Sequence, residues 1–536
     1  MSSLHWADQL AEKIIERSHS EKRVPNVKCQ QTPSGGKHIG NLNDVLRAYF
    51  PYKSVIEKGE KCEFIHMSDD RDPLKDIPAK LADLEAKWHD AAKFPELKKF
   101  YGQPLFKVPD PFQCCESYAK HFTIVWMNGL HEIDVKPILH YTGDVYKQGK
   151  FDPYIKLVFE KREIAGKIVS DLQASKDTSY IPFDAFCPQC SVLANIDDFD
   201  IKNKKVHFTC GGKTIKQKKA EGCGYEGWQP WSEGKLQWRF EWPALMSIFH
   251  TTFEPFGKDH AEGSWKSVMR IMPEIFNTVP PIPFVYEFFL VNGEKMSASK
   301  GNVYIVQDML KIIEADVFKF YYVKRPEKQR DLDLTKIFQL TDEFDLSEQA
   351  FFGKGELQSE NREENAKRMY DLAVSNPPKK CPKRVSFAFC AALSQLMPLD
   401  AAVEKLNELK HIETKQDAEL AMQRLLVAKI WSVTYGGEHK LAISTAEEAV
   451  ERKNALSENQ RKVLSEFAAV IVSEADETKQ MEKIREICKA NNLAISDFFA
   501  AIYAVLIGKP RGPKLFTLIS VIGREKVVSL IDSSGA

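Results

Sequence analysis

Apolar and polar positions repeat with two different periods along this chain, and the change of period marks its parts. From residue 5, HWADQLAEKIIERSHSEK places apolar residues three and four apart and predicts an amphipathic helix. Residues 24–50 then pass from an extended VPNVKCQQ through TPSGGKHIGN to a helical NLNDVLRAYF, which reads as strand, glycine turn, helix. A second apolar run, CEFIHM (62–67), ends in Ser68, Asp69, Asp70, Arg71 and Asp72. Open parallel sheets bind ligands at such strand ends, so this part predicts an α/β domain.

The pattern breaks up over 91–237 into charged helices, Pro-rich turns such as VPDPFQCCESYAKHF and a cysteine-bearing segment, which reads as an insertion. Strand-like signals return in QWRFEWPALM, FEPFGKDH and FVYEFFLVNG, followed by KMSASKGN and a helical run over 305–323. The second half of the α/β domain is expected over 238–340, its first half with the N-terminal helix over 1–90. From 341 to 536 the period is almost wholly helical, interrupted at 375–384 and 435–440, which predicts an all-α region.

At 536 residues the chain is too long for a single core. With 43% hydrophobic and 28% charged residues it is neither collagenous nor disordered. Lys plus Arg and Asp plus Glu both number 75, so a nucleic-acid surface must be a local patch. One candidate is Lys509, Arg511, Lys514, Arg524 and Lys526, with Phe498, Phe499 and Tyr503 to stack on bases, although a solvated helix face and an apolar core explain the same residues. No apolar run approaches the roughly 18 residues of a membrane span, and no secretory signal pattern opens the sequence. Five of the 11 cysteines, Cys29, Cys62, Cys381, Cys390 and Cys488, stand singly, which suits a reducing compartment better than a disulfide framework, and the expected location is the cytoplasm.

Two segments suit phosphate chemistry, although, each taken alone, a tight turn with a capping Asn explains the first and a solvated charged loop the second. In TPSGGKHIGN, Gly35 and Gly36 let a ligand approach the backbone, the following helix offers its N-terminus, and His38 can donate to a phosphate oxygen. In KMSASKGN, Lys295 and Lys300 can neutralise charge on a transferring phosphate or a pyrophosphate leaving group.

Together HIGN and KMSASKGN resemble the HIGH and KMSKS signatures of class I aminoacyl-tRNA synthetases. HWADQLAEKI, HMSDDRD, VPDPFQCCESYAKHF, QWRFEWP, FEPFGKDH, VYEF and KMSASKGNV are similar to the class I, archaeal-type lysyl-tRNA synthetases, from residue 5 to about 345 and again over 508–519. The resemblance implies a Rossmann-like catalytic domain split by a zinc-bearing insertion, then a helical anticodon-binding region. It implies activation of L-lysine with ATP and Mg2+ to lysyl-adenylate, and transfer to tRNA(Lys), with no membrane or DNA partner. Under it His38, Asn41, Lys295 and Lys300 act in catalysis. Gly40, Gly257, Asp259, Met296, Ser297 and Ser299 join His38 and Asn41 around ATP, and Thr32, Gly35, Trp238, His260 and Tyr286 hold the amino acid. Asn41 and Ala298 depart from the general motifs, and Lys300 stands two places beyond the second Lys position.

A lysine ammonium calls for a carboxylate; among Asp69, Asp70, Glu241, Asp259 and Glu287, Asp70 is taken. Lys28 occupies the place where the similar glutamyl enzymes carry a base for a substrate carboxylate. That keeps a class I glutamyl-tRNA synthetase as the alternative, beside a tRNA-binding relative without aminoacylation activity.

Cys187 and Cys190 form a CxxC, followed by Cys210 and Cys223. Four thiolates at this spacing suit a closed, structural zinc site, the module covering 187–223; His207 could stand in for Cys210, but Cys is taken.

Overall fold

The computed structural model describes residues 4–172, 180–296, 302–324, 328–354 and 359–532. They form two units, one of Met1–Met309, Ala315–Asp333 and Gly355–Pro377, the other of Leu310–Glu314, Leu334–Lys354 and Pro378–Ala536. The boundary expected at 341 is therefore not one cut. Residues 355–377 return to the first unit because Arg368 pairs with Asp8 at 2.7 Å and Glu57 at 2.8 Å.

The first unit is built on five parallel strands: β1 (Asn26–Gln31), β2 (Glu63–Ser68), β3 (Ile138–Tyr141), β4 (Phe253–Gly257) and β5 (Ile282–Tyr286). Their spatial order is β5-β4-β1-β2-β3. Helices cover the sheet, so β1 is buried at Val27, Lys28 and Cys29 in succession rather than at alternate residues. Strand β3 corrects the expectation that 91–237 is all insertion. Its four residues were too few to stand out as a strand, yet they complete the sheet beside β2.

Helix α1 (Trp6–Glu21) buries Ala7, Leu10, Ala11 and Ile14, one face of a 3.6-residue period. Helix α2 (Leu42–Glu57) follows the glycine turn. The strand-like reading of QWRFEWPALM is overturned: Trp238–Ile248 is a helix, α3, with Phe240, Glu241, Trp242 and Leu245 all buried. An apolar run buried on every side carries no period to tell helix from strand.

The chain leaves β1 outward to β2 and β3, then returns to β4 and β5 on the other side. The direction reverses between β1 and β4, and a ligand crevice belongs at the carboxyl ends of those strands. The rest of 91–237 includes small antiparallel sheets, among them Phe183–Phe186 with Leu193–Asn195 and Gly234–Leu236, and Lys205–Thr209 with Asp198–Asp200 and Glu226–Pro230. Their core, with Phe183, Val206 and Phe208, is continuous with Ile65 and Met67 of β2.

The second unit is helical. Arg424, sealed from solvent, holds Asp345 at 2.6 Å and Glu314 at 3.0 Å. Phe467, Phe498, Ile502, Leu506, Leu518 and Ile531 form its C-terminal core. Phe498 is thus a packing residue rather than a base-stacking one, and Arg524 donates to the carbonyls of Ile471, Glu474 and Ala475. Among the described residues no single helix is long and apolar enough to cross a membrane.

Candidate active site

The turn after β1 has one backbone shape that its sequence permits. Gly35 has φ +135°, and a Cβ there would lie 2.6 Å from Pro78 Cγ, so both conformation and space require glycine. The Ile39 N–H donates to Tyr304 O at 2.8 Å. His38 Nδ1 accepts the Gly40 N–H at 3.1 Å, which leaves Nε2 as the protonated, donating nitrogen. Burial, with the Lys37 and Lys295 charges, lowers the His38 pKa to about 4. His38 is therefore a neutral donor. Helix α2 starts at Leu42, and Asn41, its N-cap, makes no side-chain capping bond.

A cavity of about 540 Å³ opens here, at the carboxyl ends of the strands. Its lining includes Gln30, Thr32, Lys37, Asn41, Asp44, Asp69, Asp72, Trp238 and His260. Trp238 stacks on Trp242 with ring centroids 5.4 Å apart, and His260 lies against both indoles.

The acidic groups divide into those that are matched and those that are not. Asp72 receives Lys235 at 2.6 Å, Lys75 at 3.1 Å and the Thr32 hydroxyl at 3.0 Å. Burial opposes its charge, but the two ammonium groups hold it well below the usual carboxylate range. Among the described residues the Asp69 carboxylate accepts from neutral groups, Gln30 at 2.8 Å and the Thr142 hydroxyl at 3.0 Å. Burial, reinforced by Asp72 and Glu241, pushes its pKa up to about 8. Asp44, on the first turn of α2, accepts from the Tyr286 hydroxyl at 2.5 Å. Burial drives its pKa up to about 7 despite that bond, and Glu254 adds to the rise.

The remaining acids named from sequence are engaged elsewhere. Asp70 accepts the Gly143 N–H at 2.7 Å and does not line the cavity, so its choice as ammonium partner is not supported by its position. Glu241 is paired with Lys235 at 2.7 Å, and Glu287 with Lys258 at 2.9 Å at the surface. Asp259 is exposed on the short helix after Gly257. Sequence reasoning passed over Asp44, although a carboxylate three residues after Asn41 falls on the first turn of a helix that begins at the phosphate turn. Lys295 is exposed, its ammonium 3.9 Å from the Phe288 ring centroid. Met296 is buried and reaches the turn, its Cε 3.3 Å from where a Gly40 Cβ would lie. Ser297, Ser299 and Lys300 lie outside the described residues.

The family model described as tRNA synthetases class I (K) matches residues 4–376. The chain belongs to this family. An anticodon binding domain is matched over residues 437–533 of the synthetase. The lysine–tRNA ligase of Natronomonas pharaonis is 33% identical over 99% of this chain and 97% of its own. That of Methanocaldococcus jannaschii is 32% identical over 98% and 99%. A solved glutamate tRNA ligase from Elizabethkingia meningosepticum covers 95% of the chain and 98% of its own at 12% identity, with a TM-score of 0.44. The fold is the class I synthetase one, a parallel α/β core followed by a helical domain.

Among the described residues of the synthetase, two side-chain sets could hold a metal ion. In the first, the sulfurs of Cys187 and Cys223 lie 3.5 Å apart and those of Cys190 and Cys210 3.6 Å apart. This is a closed set of four thiols in the turns and loops that join short strands, and it fits tetrahedral zinc. His207 is instead bonded to Asp197 at 2.6 Å. The second set, Asp110, Cys114, Cys115 and His121, was not singled out from sequence. Its signal is the D-x3-CC-x5-H spacing. His121 turns Nδ1 toward Asp110 and Cys114, while Nε2 lies 2.9 Å from Ala82 O, the outer hydrogen bond typical of a ligating imidazole.

Proposed function

We propose that this synthetase is a lysine–tRNA ligase that activates L-lysine with ATP and attaches it to tRNA(Lys). The observation that carries this reading is the charge arrangement around the cavity. Lys28, the base that kept glutamate as an alternative, is sealed from solvent against Glu254, Nζ to Oε1 2.7 Å, and does not line the cavity. Among the described residues, Asp44 and Asp69 face it without a cationic partner in hydrogen-bond contact. At Asp44 and Asp69 a side-chain carboxylate such as that of glutamate meets like charge, whereas a side-chain ammonium is matched. The full-length similarity to ligases named for lysine supports the same choice.

In this reading Asp44 and Asp69, rather than Asp70, receive the ammonium groups, with Tyr286 orienting Asp44. Trp238 and His260 flank the aliphatic stem, and Thr32 and Gly35 shape the floor. His38, Gly40, Asn41, Gly257, Asp259 and Met296 meet ATP, which comes with Mg2+ on its phosphates. The neutral His38 donates from Nε2 to a phosphate oxygen, and Lys295 and Lys300, with Ser297 and Ser299, close on the pyrophosphate. The protein does little covalent chemistry in such a transfer; positioning and charge stabilisation carry the rate. Zinc on Cys187, Cys190, Cys210 and Cys223 holds the inserted module, and the cytoplasm is the location.

The test is charging of total tRNA with each of the twenty amino acids, labelled, in the presence of ATP and Mg2+. Selective lysine attachment is expected. Selective glutamate attachment would restore the alternative, and no charging at all would favour the tRNA-binding relative.

A further inference from the structure

Among the described residues, one charged side chain in the cavity has neither an ion pair nor a role in the scheme above. Three lysines line it, Lys37, Lys75 and Lys216. Lys75 is paired with Asp72 at 3.1 Å and Lys216 with Asp76 at 3.4 Å. Lys37 makes no ion pair among the described residues; its Nζ has a hydroxyl, Ser34 Oγ, at 3.5 Å. It sits half-buried between Gly36 and His38, on the turn that the phosphate reading makes central.

An amino acid bound by its ammonium groups brings a carboxylate into the same cavity. That carboxylate must approach an α-phosphate of like charge, so the site needs a cation where the two meet. Neutral His38 is not that cation, and Lys295 lies on Phe288 at the surface. Lys235 is committed to Asp72 and Glu241. Resting on the reading of lysine and ATP as substrates, we infer that Lys37 is a catalytic residue whose ammonium engages the substrate carboxylate as it attacks the α-phosphate. A carboxylate oxygen forms the bond to the α-phosphorus, and the bond from that phosphorus to the β-bridging oxygen breaks. The electron pair leaves with pyrophosphate. Lys37 keeps its proton throughout and offsets the repulsion between the two anions. The surroundings suit this: burial lowers its pKa, Asp69, Asp44 and Asp72 oppose that fall, and the result, about 8, leaves it charged near neutrality.

The test compares L-lysine with L-lysinol, in which a CH2OH group replaces the carboxylate, by calorimetric binding to the whole synthetase with tRNA present. Wild type, Lys37→Met and Lys37→Arg are each measured, together with ATP–pyrophosphate exchange. Lys37→Met is expected to weaken lysine about 10- to 100-fold and leave lysinol unchanged. It should lower kcat for exchange with the KM for ATP preserved, and Lys37→Arg should recover part of both losses. Unchanged lysine affinity in Lys37→Met overturns the proposal, as does equal weakening of both ligands, which marks a structural role. Tighter lysinol binding overturns it too, since Lys37 would then be occupying the ammonium site. Wild-type protein that binds neither ligand overturns the functional reading and this proposal with it.

Discussion

Lys28 on β1 and Glu254 on β4 face each other across adjacent strands with Nζ and Oε1 2.7 Å apart, and neither side chain reaches solvent. The same Oε1 accepts the Trp242 indole N–H at 2.8 Å, so this pair ties two sheet strands to α3, the helix that carries Trp238. Lys28→Met would leave Glu254 buried and unpaired, at a cost of about 3–5 kcal/mol. Thermal unfolding should show a lower Tm for Lys28→Met and recovery of most of the loss in the double variant Lys28→Met/Glu254→Gln. If Lys28→Met is as stable as wild type, the pair contributes nothing to the fold.

Lysine binding should depend on pH through the cavity acids. Asp44 and Asp69, with pKa values raised to about 7 and about 8, are partly or mostly protonated in the empty site near neutrality. An arriving ammonium favours the ionised carboxylate, so binding expels protons and weakens as pH falls through those values. Calorimetry in buffers of different ionisation heat should detect proton release, with affinity falling from about pH 8 to about pH 6. A flat profile would remove both acids from the lysine site.

His38→Ala should act on chemistry rather than on amino-acid affinity. Loss of one preorganised donor to developing phosphate charge is expected to lower kcat for lysine-dependent pyrophosphate exchange by about 10²–10³-fold, with little change in the KM for lysine. His38→Gln, which keeps a donor, should lose less. A larger effect on KM than on kcat would make His38 a ground-state contact only.

Metal analysis separates the two ligand sets. With zinc on both, the protein should carry about two equivalents, and Cys187→Ser and Cys114→Ser should each remove about one. Cys187→Ser should also lower the Tm, because the four-thiol set closes a module whose apolar core includes Cys187 and Cys210 themselves. A metal-free wild type of full stability would exclude both sites.

The glycine turn before α2 and the grouping of the four spaced cysteines were legible in the sequence because each is local. Glycines, a histidine and a helix start within ten residues define one chemistry wherever the chain goes. The strands Asn26–Gln31, Glu63–Ser68 and Phe253–Gly257 were legible too, since each ends at a polar or glycine-bearing turn. Charge pairing was not. That Lys28 is neutralised follows from β1 lying beside β4, which brings together residues 226 positions apart. Asp70 and Asp69 are neighbours in one polar cluster, and only the packing of the helix Thr142–Lys147 turns one to the Gly143 N–H and leaves the other facing the cavity. The sequence by itself determined which side chains were available and which segments offer groups suited to phosphate. The tertiary structure decided which charges remain uncompensated at the site, because a buried charge is set by partners that strand order and burial supply.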